Sequence, residues 1–576
     1  MQRKLGRGVA VVGVGKSQFG MFADRDSKDL FAEAFTRMLA SVDKVIDPKD
    51  IEALYLGNFS NDFFARQAHW GPLASDVIGL VPRAATRTEG ACASSSQAFR
   101  EGVFAVASGF YDIVLVGGLE DMSKRTTEDV AEGLALAASP YEIRAGFTFP
   151  GVFGAIATAY FAKYGASREH LMNVTIKSHA NAKLNPGAQF NVSIRDVMNA
   201  KVESATQKGK PIPQWGDEKE FLRDPAANPP IAWPMHLFDC CPISDGAACA
   251  LLVAEELANS FTDIPLHVVG LGQGSGRGLH ACEDLTSFEA NRYAAKEAYA
   301  MSGLAPEDIQ FAEVHDCFSI AELIHIEDLG FFKPGQAYKA VEQGATRLDG
   351  PMPINTSGGL KCKGHPVGAT GVGQLSEVWA QLRGEAGERQ VRKKDLRFGA
   401  AHFWAAPVEP APSPFWRGGK AMAEARFNDI SYQRFLGQEK LMGCRCRSCG
   451  SRYVPPRPLC TKCYSAELEW VEYSGQGRLA AFTCIRIVPA TMQVWGYGRQ
   501  NPYCSGVVEL QDGGRVVAVI DDVDPTRPAE ITVGMPLTVK YLHQGEGESA
   551  QTNARVQAGL VPCPQSWPKA ASGPRS

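Results

Sequence analysis

Up to about residue 405, short apolar runs of strand length alternate with helix-length amphipathic segments. Val9 to Val14 reads as a first strand. Lys28 to Ser41 then reads as a helix, because Leu30, Phe31, Ala34, Phe35, Met38 and Leu39 recur at helical spacing. Ile113 to Val116 is a further strand, ending in Gly117-Gly118. The alternation predicts an α/β fold, sheets covered by helices. The run Val11 to Gly15 is echoed at Val268 to Gly272. This divides the region into two α/β halves, residues 1–260 and 261–406. A stretch at about 120–240, rich in Asn, Pro and charge, reads as a less regular insertion in the first half that contributes to a substrate pocket.

The pattern changes at Pro407 to Gly419, where four prolines and two glycines mark a linker, placed at 407–425. Beyond it come short strands broken by turn residues, including Gly506 to Leu510 and Val516 to Ile520. Residues 426–465 read as a helix and a metal ribbon, 466–560 as a small OB-like barrel, and 561–576 as a disordered tail.

A chain of 576 residues is too long for one ordinary domain. A formal net charge of -4 and no long basic tract argue against nucleic acid as a partner, despite the OB-like pattern. No apolar run approaches the ~20 residues of a membrane span, and the N-terminal run is too short for a signal peptide. A cytoplasmic protein is expected. The 15 cysteines then read as reduced thiols and metal ligands, without a disulfide framework.

Three segments carry the chemistry. In Glu89-Gly90-Ala91-Cys92-Ala93-Ser94-Ser95-Ser96, Cys92 stands at the expected start of a helix. There the free N–H groups and the dipole favour a thiolate, and small neighbours let a substrate approach; a merely packed cysteine is the alternative. In Glu313-Val314-His315-Asp316-Cys317-Phe318, three polar residues fall on a strand-to-helix turn. One or two could enter a cleft as acid/base groups, metal ligands being the alternative. In Asn355 to Gly371, the glycines Gly358, Gly359 and Gly364 let the backbone approach a ligand, and His365 is held between Gly and Pro. A neutral imidazole there could take a thiol's proton.

Together these segments resemble the thiolase superfamily, most closely its sterol-carrier-protein-2-type branch, over roughly residues 5–405. The resemblance implies a five-layered α-β-α-β-α sandwich of two similar halves, and a homodimer. It implies Cys92 as nucleophile, His365 as its base, His315 in an oxyanion hole and Cys317 as the second acid/base. Acyl-CoA and CoA would be the substrates, with Gly358, Gly359 and Gly364 as candidate substrate and CoA contacts. The reaction implied is cleavage of a 3-oxoacyl-CoA by CoA, or the reverse condensation. The family's glycine-rich loop near the end of the second half is replaced here by Phe398 to Pro407, with His402 inside it. That departure points to a different acceptor or a reshaped pocket. A CoA-thioester retro-aldolase, a CoA-independent acyltransferase on an aromatic acceptor and a non-catalytic acyl-CoA or lipid carrier are the competing readings. Cys92 weighs against the first, and the set Cys92, Cys317 and His365 against the last.

Cys446-x2-Cys449 and Cys460-x2-Cys463 are two knuckles at zinc-ligand spacing. Four thiolates leave no open position, so one structural Zn2+ per chain is expected, with Cys444 a bystander. Residues 425–545 resemble the DUF35 family, a rubredoxin-like ribbon followed by an OB fold.

Overall fold

The computed structural model describes residues 4–402, 427–544 and 551–558. The linker at 407–425, Phe403 to Pro407 of the departing loop and the tail at 561–576 lie outside them. The chain forms two compact units: Met1–Pro414 with Thr483–Pro502, and Phe415–Phe482 with Tyr503–Ser576.

The first unit is built on a six-stranded sheet of β1 (Val9–Lys16), β2 (Ala53–Gly57), β3 (Ala84–Thr88), β4 (Ile113–Glu120), β5 (Gly246–Ala254) and β6 (Leu266–His267), in the order β3-β2-β4-β5-β1-β6. Its central strands are apolar without alternation, since helices cover both faces. All nine residues of β5 are buried, and seven of eight in β1. Helix α1 (Ser27–Ala40) lays Leu30, Phe31, Ala34 and Met38 on one face. Asp26 caps it, accepting from the N–H groups of Lys28 and Asp29, and Asp29 returns the bond. On the other face lies α2 (Ser94–Ala107), the helix that follows Cys92; its Val103 and Val106 share a core with Val114, Val116 and Leu252.

The stretch at 120–240 is more regular than its composition suggests. It holds α3 (Phe149–Tyr164) and α4 (Arg168–Lys183) among several helices. In α3 the residues from Gly151 to Tyr160 are all buried, so polar and apolar faces never alternate as on a surface helix. In the second half, β7 (Phe311–Glu313) pairs in parallel with β8 (Gly399–Ala401). The predicted strand echo at Val268 to Gly272 is irregular, with only Leu266–His267 joining β1. Helices α5 (Ser319–Asp328), α6 (Gly359–Lys363) and α7 (Thr370–Leu382) carry the remaining motifs.

In the second unit, Met442–Cys446, Arg452–Tyr453 and Leu468–Glu472 form a three-stranded antiparallel ribbon. The strands Gln476–Ile485, whose last three residues fall in the first unit, Tyr503–Leu510, Arg515–Asp521, Pro536–Gln544 and Gln551–Ala558 close into a ring, because the first pairs with both the second and the fourth. Closure removes the sheet edges. Thr483–Pro502, inside the segment read as OB fold, belongs to the first unit. There Ile485 pairs with Ala232, and Trp233 N donates to the Cys484 carbonyl at 3.0 Å. Twelve described cysteines are free. Cys484 and Cys504 are disulfide-bonded, against the expectation of reduced thiols throughout.

Candidate active site and zinc centre

Cys92 sits in a 3-10 turn, Ala91–Ala93, that runs directly into α2. Ala91 has φ +47°, a left-handed conformation that costs a non-glycine residue about 1–2 kcal/mol. The turn is held by Glu89, which accepts from Ala91 N at 2.6 Å, and by Ser94, whose hydroxyl donates to the Ala91 carbonyl at 2.6 Å. The Gly-His-Pro loop repeats the device: a 3-10 turn, Val367–Ala369, runs directly into α7. The Ser95 hydroxyl oxygen joins the two helix starts, accepting from Gly371 N at 3.0 Å and Val372 N at 3.3 Å. Glycines in the sheet make this approach possible. A Cβ on Gly57 would lie 2.2 Å from Ser95 N, and one on Gly118 would lie 2.1 Å from the Gly368 carbonyl oxygen. Buried Glu120 completes the junction, accepting from the N–H groups of Phe59, Ser60 and Gly368 at 2.9–3.0 Å. Burial pushes this carboxyl up to about 7.

The Cys92 sulfur and one ring nitrogen each of His315 and His365 lie within 4.8 Å of one another, all buried. The state of His365 follows from its bonds. The Thr370 hydroxyl donates its one hydrogen to the Pro366 carbonyl at 3.0 Å. Its oxygen, 2.5 Å from His365 Nδ1, must therefore accept an N–H from that nitrogen. The lone pair is then on Nε2, and that nitrogen is the one available to a thiol. Burial, with Lys363 second, lowers the imidazole to about 3. Burial, then Cys241 and Glu120, raises the Cys92 thiol. The dry site thus outweighs the helix start, which by itself was expected to lower that thiol. A raised thiol beside a lowered imidazole leaves both groups neutral at rest, with the proton on sulfur.

His315 is fully buried and held well below its ordinary value, first by burial and then by His365, His325 and His402. Four imidazoles form a row: ring centres are 5.1 Å apart for His365 and His315, 6.2 Å for His315 and His325, and 4.7 Å for His325 and His402. His325 was not singled out from the sequence. Its Nδ1 donates to the His315 carbonyl at 2.6 Å, fixing the turn that carries His315. A histidine ten residues after His315 on the following helix is the only signal, and it needs the fold to be read. His402 ends the row, its Nε2 at 3.2 Å from Asn291 Oδ1.

Cys317 is buried, and burial followed by the charges of Cys241 and Cys92 raises its thiol. Phe318 stacks on Phe153 of α3 at 4.7 Å, so the 120–240 region does reach the motif. Asp316 accepts from Leu360 N at 2.7 Å. Gly358, Gly359 and Gly364 have φ of +97°, +66° and +106°. A Cβ on Gly359 would stand 2.1 Å from Asp316 Oδ2, one on Gly358 2.5 Å from Ala182 Cβ, and one on Gly364 2.9 Å from Phe19 Cβ. All three close against protein atoms.

Residues 9–256 match the family profile "Thiolase, N-terminal domain", and residues 273–407 match "Thiolase C-terminal domain-like". The acetyl-CoA acetyltransferase of Methanothermobacter thermautotrophicus is 40% identical over 394 residues, covering 68% of this chain and 94% of the relative. The chain belongs to the thiolase family. It is a thiolase-type acyltransferase. Sterol carrier protein 2 of Homo sapiens is 31% identical over 405 residues, 67% of this chain and 68% of the relative. Beyond the thiolase region, residues 435–469 match the "ChsH2, rubredoxin-like zinc ribbon domain" and residues 470–541 the "ChsH2, C-terminal OB-fold domain". The solved structure of an Ltp2-ChsH2(DUF35) aldolase shares the fold, with a TM-score of 0.55, 22% identity, and coverage of 70% of this chain and 96% of that one.

The ribbon's sulfurs suit zinc. Cys446, Cys449, Cys460 and Cys463 cluster within 4.8 Å. Cys446 and Cys463 are 3.5 Å apart, as are Cys449 and Cys460. Tetrahedral Zn2+ with Zn–S of about 2.3 Å needs sulfurs about 3.8 Å apart. Tyr453 Oη lies 3.2 Å from Cys460 Sγ, an outer contact that orients a ligand. Cys444 Sγ instead accepts from Arg457 N at 3.3 Å, outside the cluster. Among the described residues, no helix is long and apolar enough to cross a membrane.

Proposed function

We propose that the chain cleaves a 3-oxoacyl-CoA with CoA, or runs the reverse condensation, through an acyl-enzyme on Cys92. The observation that carries this is the buried cluster of Cys92, His315 and His365, with the His365 tautomer fixed by Thr370. As Cys92 Sγ attacks the 3-oxo carbon, its proton passes to His365 Nε2. Neutral His315 offers an N–H to the oxygen that gains charge. The bond from that carbon to the α-carbon breaks, and Cys317 delivers a proton to the leaving acyl-CoA's α-carbon. CoA then takes the acyl group from Cys92, its thiol proton passing to Cys317, and His365 Nε2 returns its proton to the Cys92 thiolate that leaves. A dry site makes each hydrogen bond to developing charge stronger than it would be in water. Gly358, Gly359 and Gly364 serve this site by shaping the loop, since the space beside each is taken by protein.

The four ribbon cysteines hold one structural Zn2+, whose role is to fold that module. A homodimer is part of the proposal: β3 is the sheet edge, half exposed, and offers an open ladder to a second copy. A cytoplasmic location is part of the proposal: the twelve free cysteines among the described residues support it and the disulfide-bonded Cys484 and Cys504 weigh against it. Retro-aldol cleavage of a CoA thioester is the second reading, favoured by the ribbon and barrel matching the ChsH2 profiles and by the aldolase fold neighbour. It gives no task to Cys92.

Incubation with a 3-oxoacyl-CoA and free CoA tests the choice. The expected result is thiolytic cleavage, with an acyl mass increment on the intact protein that Cys92→Ala abolishes. Cleavage of a 3-hydroxyacyl-CoA to an aldehyde or ketone, unaffected by Cys92→Ala, would replace the proposal with the aldolase.

A further inference from the structure

Cys241 is a third thiol beside Cys92 and Cys317, and the reaction outlined above leaves it unused. Cys240 and Phe318 form an isolated antiparallel bridge, and Cys241 N donates to the Cys317 carbonyl at 2.9 Å. In such a ladder the next residue on one side lies opposite the previous residue on the other, so Cys241 and Cys317 are cross-strand neighbours on one face. Cys240 faces elsewhere, its thiol donating to the His236 carbonyl at 3.3 Å. Opposed residues that share a hydrogen bond have Cα atoms about 5.5 Å apart, inside the disulfide range of roughly 4.4–6.8 Å. Their Cβ atoms, at about 5.5 Å or less, need to approach by about 1 Å. The exposures differ in a useful sense: Cys241 is partly exposed, whereas Cys317 is buried.

We propose that Cys241 and Cys317 form a thiol-disulfide exchange site for low-molecular-weight disulfides, which takes Cys317 out of action reversibly while leaving Cys92 acylatable. Cys241 attacks one sulfur of the disulfide, giving a mixed disulfide and releasing one thiol. Cys317, losing its proton, attacks the Cys241 sulfur, and the second thiolate leaves and takes up that proton. Two protein thiols are oxidised to one disulfide, and one small disulfide is reduced to two thiols. Cys241 is the entry point because it is the less buried residue of the pair; burial, then Asp316, pushes its thiol up to about 12, so its attack quickens as pH rises. Cys241 is close enough to both other thiols that its charge would raise each of them. The functional consequence rests on the proton-carrying role given to Cys317 above; the cross-link itself does not.

The test treats the full-length, zinc-bound protein with oxidised glutathione, blocks free thiols and maps peptides by mass spectrometry. We expect a peptide pair joined through Cys241 and Cys317. We also expect α-proton exchange of an acyl-CoA to fall about 10²–10⁴-fold, the usual loss for one acid/base group. Acylation of Cys92 should persist, and dithiothreitol should restore exchange. Cys241→Ser and Cys241→Ala, outside the catalytic set, should lack the cross-link and keep exchanging under oxidant. No joined peptide in the parent, or both variants losing exchange as fast as the parent, would overturn the proposal. A joined peptide with undiminished exchange would uphold the disulfide site and remove Cys317 from the proposed reaction.

Discussion

Replacing Thr370 by Val keeps the side-chain shape and removes one oxygen that makes two buried hydrogen bonds. One is the bond from His365 Nδ1–H at 2.5 Å and the other the bond to the Pro366 carbonyl at 3.0 Å. Each is worth about 1 kcal/mol net, and the stranded Nδ1–H adds a desolvation cost of about 1–3 kcal/mol. The expected destabilisation is about 3–5 kcal/mol, readable as a fall in the urea midpoint. The kinetic effect is separate. Losing about 1.4 kcal/mol of preference for the Nδ1–H tautomer shifts the tautomer ratio about tenfold and makes the basic Nε2 at most tenfold rarer. The imidazolium formed during attack also loses a charge-assisted partner, worth about 1.5–3 kcal/mol. Acylation of Cys92 by an acyl-CoA, followed by intact-protein mass spectrometry at short times, should therefore slow by about 10- to 1000-fold. Thr370→Ser, which restores the oxygen, should recover most of the rate. A Thr370→Val variant that is folded and acylates at the parent rate would refute the argument that this hydroxyl sets the tautomer.

Gly359→Ala places a Cβ 2.1 Å from Asp316 Oδ2 at φ +66° and should cost about 3 kcal/mol or more, whereas Gly384→Ala, at φ +73° with nothing within 4 Å, should cost about 1 kcal/mol; urea unfolding of both checks the difference. Cys446→Ser/Cys463→Ser should lose zinc by metal analysis and make the ribbon protease-sensitive, and retained stoichiometric zinc would remove these ligands. His402 is lowered by burial to about 3, against 6.5 unfolded. Below pH 6.5 the unfolded chain therefore gains a proton here that the folded chain does not, and stability falls as pH falls, by about 1.4 kcal/mol per unit. His402→Asn removes that dependence, so the stability gap between parent and variant should narrow by about 2 kcal/mol from pH 6.5 to pH 5; an unchanged gap would show that His402 ionises normally.

The sequence by itself determined much of the local structure and its residue chemistry. The apolar runs of β1 and β4 announced buried strands, the 3.6-residue period of α1 its core face, and two Cys-x-x-Cys knuckles a zinc ribbon, because each of these is a short-range pattern. The segments around Cys92, His315 and His365 were legible for the same reason, as unusual residue types crowded into turns. Tertiary structure decided what those residues can do. The thiol and imidazole values depend on burial, which comes from chain segments hundreds of residues apart, and it reversed the direction expected for Cys92 from its helix start alone. The shared turn-then-helix form of the Cys92 and Gly-His-Pro loops has little sequence echo, since backbone geometry and not side-chain identity is repeated. His325 and Cys241 gained their places only when a helix and an isolated bridge brought them against the His315–Phe318 motif. Thr483–Pro502 reads as part of a barrel by sequence order. It belongs with the first unit because a strand's partners are chosen by the backbone donors and acceptors it meets in space, which its own residues do not encode.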